Sequence, residues 1–483
     1  MKYILCLLLL ILTLSGCSKR IESLEPVPSP QQLAWHEVEM YGLVCFNLVT
    51  FEDKEWGYGD ADPVIFNPTE FSAEQIVNAA KESGLNGIIL VCKHHEGFCL
   101  WPTSTTDYNI SKSPWKNGKG DMVKEFQLAC EKAGMKFGVY LSPWDRNSAV
   151  YGESGYIPIY YEQLRELLTG YGELFEVWFD GANGGDGWYG GADTIRNIDR
   201  FNYYGWDSIY TLVRELQPNA LIFSDMGDVR WVGNEEGFAG ETSWCMYTPK
   251  GKDDDNKPAP GYTKYWEGTE GHEDGNFWMP AECDFPIRPG WYYHENQNDA
   301  VKSPQVLFDH YLKTVGRNAS FNLGLAPDMR GLIHDNDLES LLGFKQILDD
   351  AFKHNLAYKQ KINTDVSRKG YHGEKMIDGD PKTYWTTHEY DTSCEIIIQL
   401  EEIRELNAIL LQEYIGLGQR IKSFRVEVKE ADEFVVVGEA TTIGYKRILI
   451  FDTVMTDEIK VTIMDSRAAP VLSEIQLYRF PDY

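Results

Sequence analysis

Short apolar runs rich in branched and aromatic residues, GLVCFNLVTF, NGIILVCKHH, KFGVYLSPW, LFEVWFDG and NALIFSD, alternate with segments of helical period such as AEQIVNAAKESG, MVKEFQLACEKAG, EQLRELLTGYG and DSIYTLVRELQP. A chain patterned in this way has to bury each strand on both faces, with a helix returning over the sheet each time, so it predicts parallel strands in an α/β fold. The helical segments close on Gly or Pro, as C-terminal stops do. The pattern weakens from Cys245 to Arg288 and resumes with VLFDHYLKTVGRN and ASFNLGLAP. Roughly eight candidate strands over about 300 residues fit a (β/α)8, TIM-like barrel over 34–355 better than an open doubly wound sheet. An open sheet would need a glycine-rich phosphate loop after its first strand, and FNLVTFEDKEWG has none.

The ends of the chain differ from this middle. MKYILCLLLLILTLSGCSKR has a basic start, an apolar run and Leu14-Ser15-Gly16-Cys17, and looks like a bacterial lipoprotein signal over 1–17 with Cys17 acylated. The run is shorter than the roughly 20 residues a transmembrane helix needs. Residues 18–33, with Pro26, Pro28 and Pro30, read as a tether, so the expected location is the periplasm or the outer-membrane surface, lipid-anchored. After Lys361 the runs SCEIIIQL, LNAILLQEY, KSFRVEVKE, EFVVVGEA and KRILIFD alternate with period two, which predicts an all-β sandwich over 360–483. A formal net charge of -29, from 74 acidic and 45 basic residues, excludes nucleic acid as a partner and leaves the lipid anchor as the only membrane contact. The cysteines beyond Cys6 and Cys17 are scattered without CxxC spacing and read as small buried apolar residues.

Barrel enzymes carry their chemistry where strands end. The strand ends here are polar and aromatic: Glu55 and Trp56, His94 and His95, Trp144 and Asp145, Asp180, Asp225, Asp284 and Arg288. A lone strand-end Asp would ordinarily cap its turn, but Asp180 closes the apolar run LFEVWF, is followed by glycines, and has many such companions. Aromatic rings and carboxylates around a concave mouth suit a sugar, which has an apolar face to stack and a polar rim to hydrogen-bond. Glycosidic cleavage needs a second carboxyl, and DVRWVGNEEGFAGETSW offers Glu235, Glu236 and Glu241.

Taken in order, TFEDKEWG, KHHEGFCLW, VWFDGA, DVRWVGNE, IRPGWYYH, VGRNASFNLGLAPDMRGLI and LLQEYIGLGQR resemble glycoside hydrolase family 29, the retaining α-L-fucosidases, and more closely its second subfamily, associated with α-1,3- or α-1,4-linked fucose. The resemblance implies an exo-acting hydrolase without metal or cofactor. Its nucleophile would be Asp180 and its acid/base Glu235, with Glu236 the alternative one residue on. Glu55, Trp56, His94 and His95 would grip the sugar, and Trp144 and Arg288 join them as strand-end candidates. Adjacent histidines face opposite sides of an ideal strand, so at least one must lie past the strand's end for both to reach a ligand.

One position departs from the family. Its first strand usually carries His-Phe-Gly where this chain has Cys45, Phe46 and Asn47. The family's histidine there touches the sugar, so the resemblance implies that Cys45 faces the pocket floor, and strand alternation would place Asn47 on the same side. The expected substrate is a fucosylated oligosaccharide or glycoconjugate. The alternatives are a catalytically weak glycan-binding lipoprotein and a glycosidase for a related L-sugar. HGEKMIDGDPKTYWTT resembles the entry of a discoidin-like, carbohydrate-binding-type sandwich, in which Tyr384 and Trp385 are either a sugar platform or core.

Overall fold

The computed structural model describes residues 21–251, 258–262 and 265–481, so Cys17 and the signal-like segment lie outside the described residues. The strands β1 Met40–Val44, β2 Gly87–Lys93, β3 Lys136–Leu141, β4 Glu176–Trp178, β5 Leu221–Phe223, β6 Arg230–Trp231, β7 Ala281–Pro286 and β8 Ser320–Leu325 form one eight-stranded sheet. Its order is β5-β4-β3-β2-β1-β8-β7-β6. β1 pairs in parallel with both β2 and β8, the adjacency of first and last strands that a barrel requires. The ring closes between β5 and β6 through the isolated bridge Phe223–Val229 alone. That connection is a tight turn with no helix, in which Asp228 Oδ2 accepts from Ile222 N at 2.9 Å. This is one place where the β/α alternation is broken.

Helices cover the outside. Ala73–Glu82 starts where the Ser72 side chain accepts from Gln75 N, and Met122–Ala133 runs from the Asp121 cap to Gly134, whose φ of 69° ends it. The barrel interior includes a buried acid pair. Glu176 on β4 and Glu282 on β7 are both fully buried. Trp35 Nε1 donates to Glu176 at 3.0 Å, and Trp178 Nε1 and Asn322 Nδ2 each donate to Glu282 at 2.8 Å. Burial and the neighbouring Glu282 charge push Glu176 well above the usual carboxylate range.

The segment expected to be a tether is packed from Ile21 onward. Ser29 and Gln32 form a capping box on the helix Pro30–His36. Gln32 Nε2 also donates to the Asp228 and Trp278 carbonyls at 2.9 and 2.7 Å. Proline here begins a helix, where its missing N–H costs nothing.

The C-terminal strands Lys361–Thr364, Trp385–Thr386, Cys394–Glu413, Ile421–Glu430, Glu433–Ala440, Arg447–Ser466 and Val471–Tyr478 form an antiparallel sandwich. Cys394–Glu413 and Arg447–Ser466 pair along nearly their whole length, with register shifts between Gln399 and Arg404 and between Leu406 and Ala408. Trp385 is fully buried and belongs to this core. Tyr384 instead stacks between Tyr371 and Tyr414, with centroids 5.1 and 4.5 Å away. Ala408, Leu410, Ile448, Tyr478 and Phe480 of the sandwich pack into the barrel's own apolar cluster, so the two domains share a core.

Candidate active site

On β4 the alternating residues Glu176 and Trp178 face the barrel interior, and Asp180, two residues on, reaches the mouth. It lines a cavity of about 630 Å³ together with Cys45, Glu55, Trp56, His94, His95 and Glu235. A groove of about 680 Å³ lies at the opposite end of the barrel, beside Trp35, Lys136 and Phe175, away from this convergence of polar groups. Asp180 is held from two sides, with Tyr140 Oη donating to Oδ2 at 2.7 Å and Ala182 N to Oδ1 at 2.6 Å. Burial and the Asp180 charge keep the Tyr140 hydroxyl protonated far above its ordinary range.

Both histidines lie past the end of β2, so both reach the cavity, their ring centroids 3.9 Å apart. The proton position on His95 follows from its neighbours. Ser142 Oγ donates to the Trp144 carbonyl at 2.9 Å, so its 2.8 Å contact with His95 Nδ1 must be one in which the imidazole donates. Nε2 is then left with a lone pair, 3.9 Å from Asp180 Oδ1. Burial, with His94, Arg146 and Lys93 nearby, holds His95 well below the usual imidazole range and therefore neutral. Its free lone pair can accept a hydrogen bond from a hydroxyl. Ser142→Ala is expected to lose about 1 kcal/mol of this positioning, roughly a fivefold fall in kcat/KM. The check is steady-state kinetics alongside an unchanged melting curve.

Trp56 is 51% exposed, its edge against His95 and Trp144 at 5.0 and 5.6 Å. Trp144 does not line the cavity; it is buried behind His95 and donates to Tyr189 Oη at 2.8 Å. The ring supports the wall, so the expectation of direct contact is corrected. Glu55 is fixed by Trp291 N and His294 Nε2, both at 2.8 Å. Burial lowers the His294 proton affinity, but the hydrogen bonds to Asp53 and Glu55 outweigh it and leave the imidazole raised. A Cβ at Gly290 would lie 1.9 Å from Glu55 Oε1, so a larger residue there would displace this carboxylate.

The loop after β6 turns Glu235 into the cavity and leaves Glu236 outside it, exposed. Glu235 is open to solvent at the mouth, yet the walls desolvate its carboxyl. That burial, followed by the Asp180 charge, raises it above the ordinary range, while a hydrogen bond from Trp291 partly opposes the rise. Glu241 is elsewhere, its carboxylate between Arg317 and Arg447.

Two further expectations are corrected. Arg288 is fully buried outside the cavity, with Nε on Asp337 Oδ2 at 2.9 Å and Nη2 on Asn298 Oδ1 at 3.1 Å. The chain has turned outward after β7, and a buried guanidinium needs a carboxylate, which Asp337 supplies. Asn47 is also buried outside the cavity. Its Oδ1 caps the helix Leu48–Glu52 at Leu48 N, 2.6 Å, and its Nδ2 donates to the Phe98 carbonyl at 3.3 Å. β1 ends at Val44, so alternation no longer applies at Asn47. Cys45 does line the floor, with Leu43, Val91, Trp178 and Phe223. Burial and the charges of Glu55, Asp180 and Asp284 keep its thiol protonated.

Asp225 and Asp284, strand-end acids in the sequence, line the cavity, as do Tyr140, Trp231, Trp291 and Tyr292, which sequence reasoning did not single out. Trp231 Nε1 donates to Asp284 at 2.7 Å. The Tyr292 hydroxyl is buried with no hydrogen-bond partner among the described residues, as a group that awaits a ligand would be. Trp231, Trp291, Tyr292 and His294 all lie within the stretches DVRWVGNE and IRPGWYYH, which were the available signal. Two carboxyls in unlike environments on one sugar-sized cavity walled by aromatic rings are the parts that glycosidic cleavage uses.

The family model "Alpha-L-fucosidase" matches residues 27–350, and "F5/8 type C domain" matches 360–474. "Alpha-L-fucosidase 1" of Arabidopsis thaliana is 39% identical, over 94% of this chain and 87% of that protein. A glycoside hydrolase 29 family member from an unknown rumen bacterium superposes with a TM-score of 0.85 at 40% identity, covering 96% of this chain and 79% of that one. A Ruminococcus gnavus GH29 fucosidase solved in complex with fucose gives a TM-score of 0.84 at 30% identity, covering 96% and 97%.

Proposed function

The chain belongs to the α-L-fucosidase family, glycoside hydrolase family 29, and from that premise we propose that it removes terminal α-1,3- or α-1,4-linked L-fucose from glycans with retention of configuration. Asp180 attacks the anomeric carbon as the bond to the aglycone oxygen breaks, and Glu235 delivers its proton to that oxygen. Glu235 then takes a proton from water, which attacks the fucosyl ester of Asp180 and releases fucose. The observation that carries this reading is the contrast between the two acids on one cavity, Asp180 with two hydrogen-bond donors and Glu235 with a raised pKa. His95 Nε2 and the Glu55 carboxylate supply acceptors for sugar hydroxyls, and Trp56 supplies an apolar face. The strip of Leu43, Val91 and Phe223 offers a deoxy carbon an apolar surface.

Proton NMR of the first turnovers on a panel of fucosylated oligosaccharides tests the proposal. α-L-Fucose should form before its β-anomer, and α-1,3/1,4-linked substrates should outpace α-1,2-linked ones. The β-anomer appearing first would end the retaining mechanism, and preference for the α-1,2 linkage would end the subfamily assignment. Cys45→His, with Asn47 untouched, is expected to raise kcat/KM on an α-L-fucoside by about ten- to hundredfold, the worth of one buried hydroxyl regaining a partner. A flat or lower value means that the pocket already satisfies that hydroxyl. We also propose that the chain is lipid-anchored through Cys17 on the periplasmic or outer-membrane side, supported by the Leu14–Cys17 sequence. Labelling with a fatty-acid analogue, lost in Cys17→Ala, tests it.

A further inference from the structure

The stretch LLQEYIGLGQR, Leu410 to Arg420, stands among the motifs of a barrel enzyme but lies in the sandwich. Its partners explain why. Gln419 is fully buried; its Oε1 accepts from Cys245 N at 2.7 Å and its Nε2 donates to the Ser243 carbonyl at 2.9 Å. Thr442 Oγ1 accepts from Ser243 N at 2.8 Å. Arg447 reaches both the carbonyl and the carboxylate of Glu241, at 2.9 and 2.7 Å. Ile415 packs with Trp244, Cys245, Met246 and Trp278 in one apolar cluster. The motif itself is braced by Glu413, a buried carboxylate that accepts from Arg420 N, Ile421 N and Gly444 N at 2.7, 3.0 and 2.7 Å.

Residues 241–246 are the far leg of the loop that carries Glu235. Its near leg is fixed in the sheet by Val232 N to the Glu282 carbonyl at 2.9 Å. Past Glu235 the barrel itself supplies Ala239 N to the Lys313 carbonyl at 3.0 Å and Gly240 N to the Thr269 carbonyl at 3.2 Å. From Glu241 onward the sandwich adds its own grip. We propose that the sandwich is part of the catalytic apparatus, and that Gln419, Thr442 and Arg447 are positioning residues that clamp this leg and so fix the point from which Glu235 delivers its proton. The inference rests on the acid/base reading of Glu235. A general acid has to stay within hydrogen-bond reach of the leaving oxygen, and a displacement of about 1 Å can cost up to a hundredfold.

The test uses the full chain carrying Gln419→Met or Thr442→Val, changes that remove hydrogen bonds at nearly constant volume. On a fucosylated oligosaccharide, whose leaving group needs a proton, kcat should fall about tenfold, while an aryl fucoside with an activated leaving group should stay within about twofold. Hydrogen exchange should rise in peptides spanning 236–246. An equal fall on both substrates, or none on either, overturns the clamp if Glu235→Ala discriminates between the same two substrates. If Glu235→Ala does not discriminate, the acid/base reading fails instead, and exchange alone decides whether the sandwich holds the loop, unchanged protection refuting it. Should Gln419→Met not fold, Thr442→Val carries the comparison.

Discussion

Asp180→Ala is expected to lower kcat by about three to six orders of magnitude on every fucoside, activated or not, because in the proposed double displacement both steps pass through this carboxylate. Its two donors, Tyr140 Oη and Ala182 N, remain in the variant, so the site is emptied of one functional group and is not dismantled. Fucose binding measured by calorimetry should therefore weaken far less than turnover. Azide should enter the space of the missing carboxylate and attack the anomeric carbon directly, giving β-L-fucosyl azide by a single inversion from an activated α-fucoside. A loss of less than about tenfold on the aryl substrate would place the nucleophile elsewhere.

The barrel is legible in the sequence because its period is strong. Each apolar run followed by a helical segment closing on Gly or Pro marks a unit, and the (β/α)8 architecture with an all-β second domain follows from counting them. The least legible strand is Ala281–Pro286, AECDFP, whose two acids disguise a strand that is buried along its whole length. Glu282 is tolerated there because Tyr41, Trp178 and Asn322 donate to it, and these partners come from other strands, distant in the chain. Buried acids look like surface residues until their donors are known.

Site residues follow the same division. Strand alternation carried one residue past β1 and two residues past β4 succeeds for Cys45 and for Asp180, which stay in line with their strands. It fails for Asn47 and Arg288, where the chain has already turned and local needs take over, a helix cap for one and a carboxylate partner for the other. The opening acid of the glycine-rich turn, Asp180, ends an apolar strand because a strand that is buried everywhere else can deliver a carboxylate to a fixed point without loop freedom. Glu235 has no such strand beneath it, and its placement among Glu236 and Glu241 depends on which way a loop turns.

Glu235→Ala should cost about two to four orders of magnitude in kcat on a fucosylated oligosaccharide and far less on an aryl fucoside with an activated leaving group, since only the first needs protonation of the departing oxygen. Azide should speed turnover of the aryl fucoside by this variant, because it attacks the fucosyl ester of Asp180 without base assistance. The product should be α-L-fucosyl azide, the opposite anomer from the Asp180 variant, since two inversions precede its release. The pH profile follows from the raised pKa of Glu235, which comes from burial and the Asp180 charge. A general acid works while it keeps its proton, so kcat/KM on the oligosaccharide should hold below this pKa and fall as pH rises through it. Raising the pKa extends that window upward, toward neutral pH. Glu235→Gln keeps the shape but holds no transferable proton, and it should abolish the alkaline limb along with most of the rate. If Glu236→Ala, with its side chain outside the cavity, shows the leaving-group dependence and azide response while Glu235→Ala does not, the acid/base lies one residue further on.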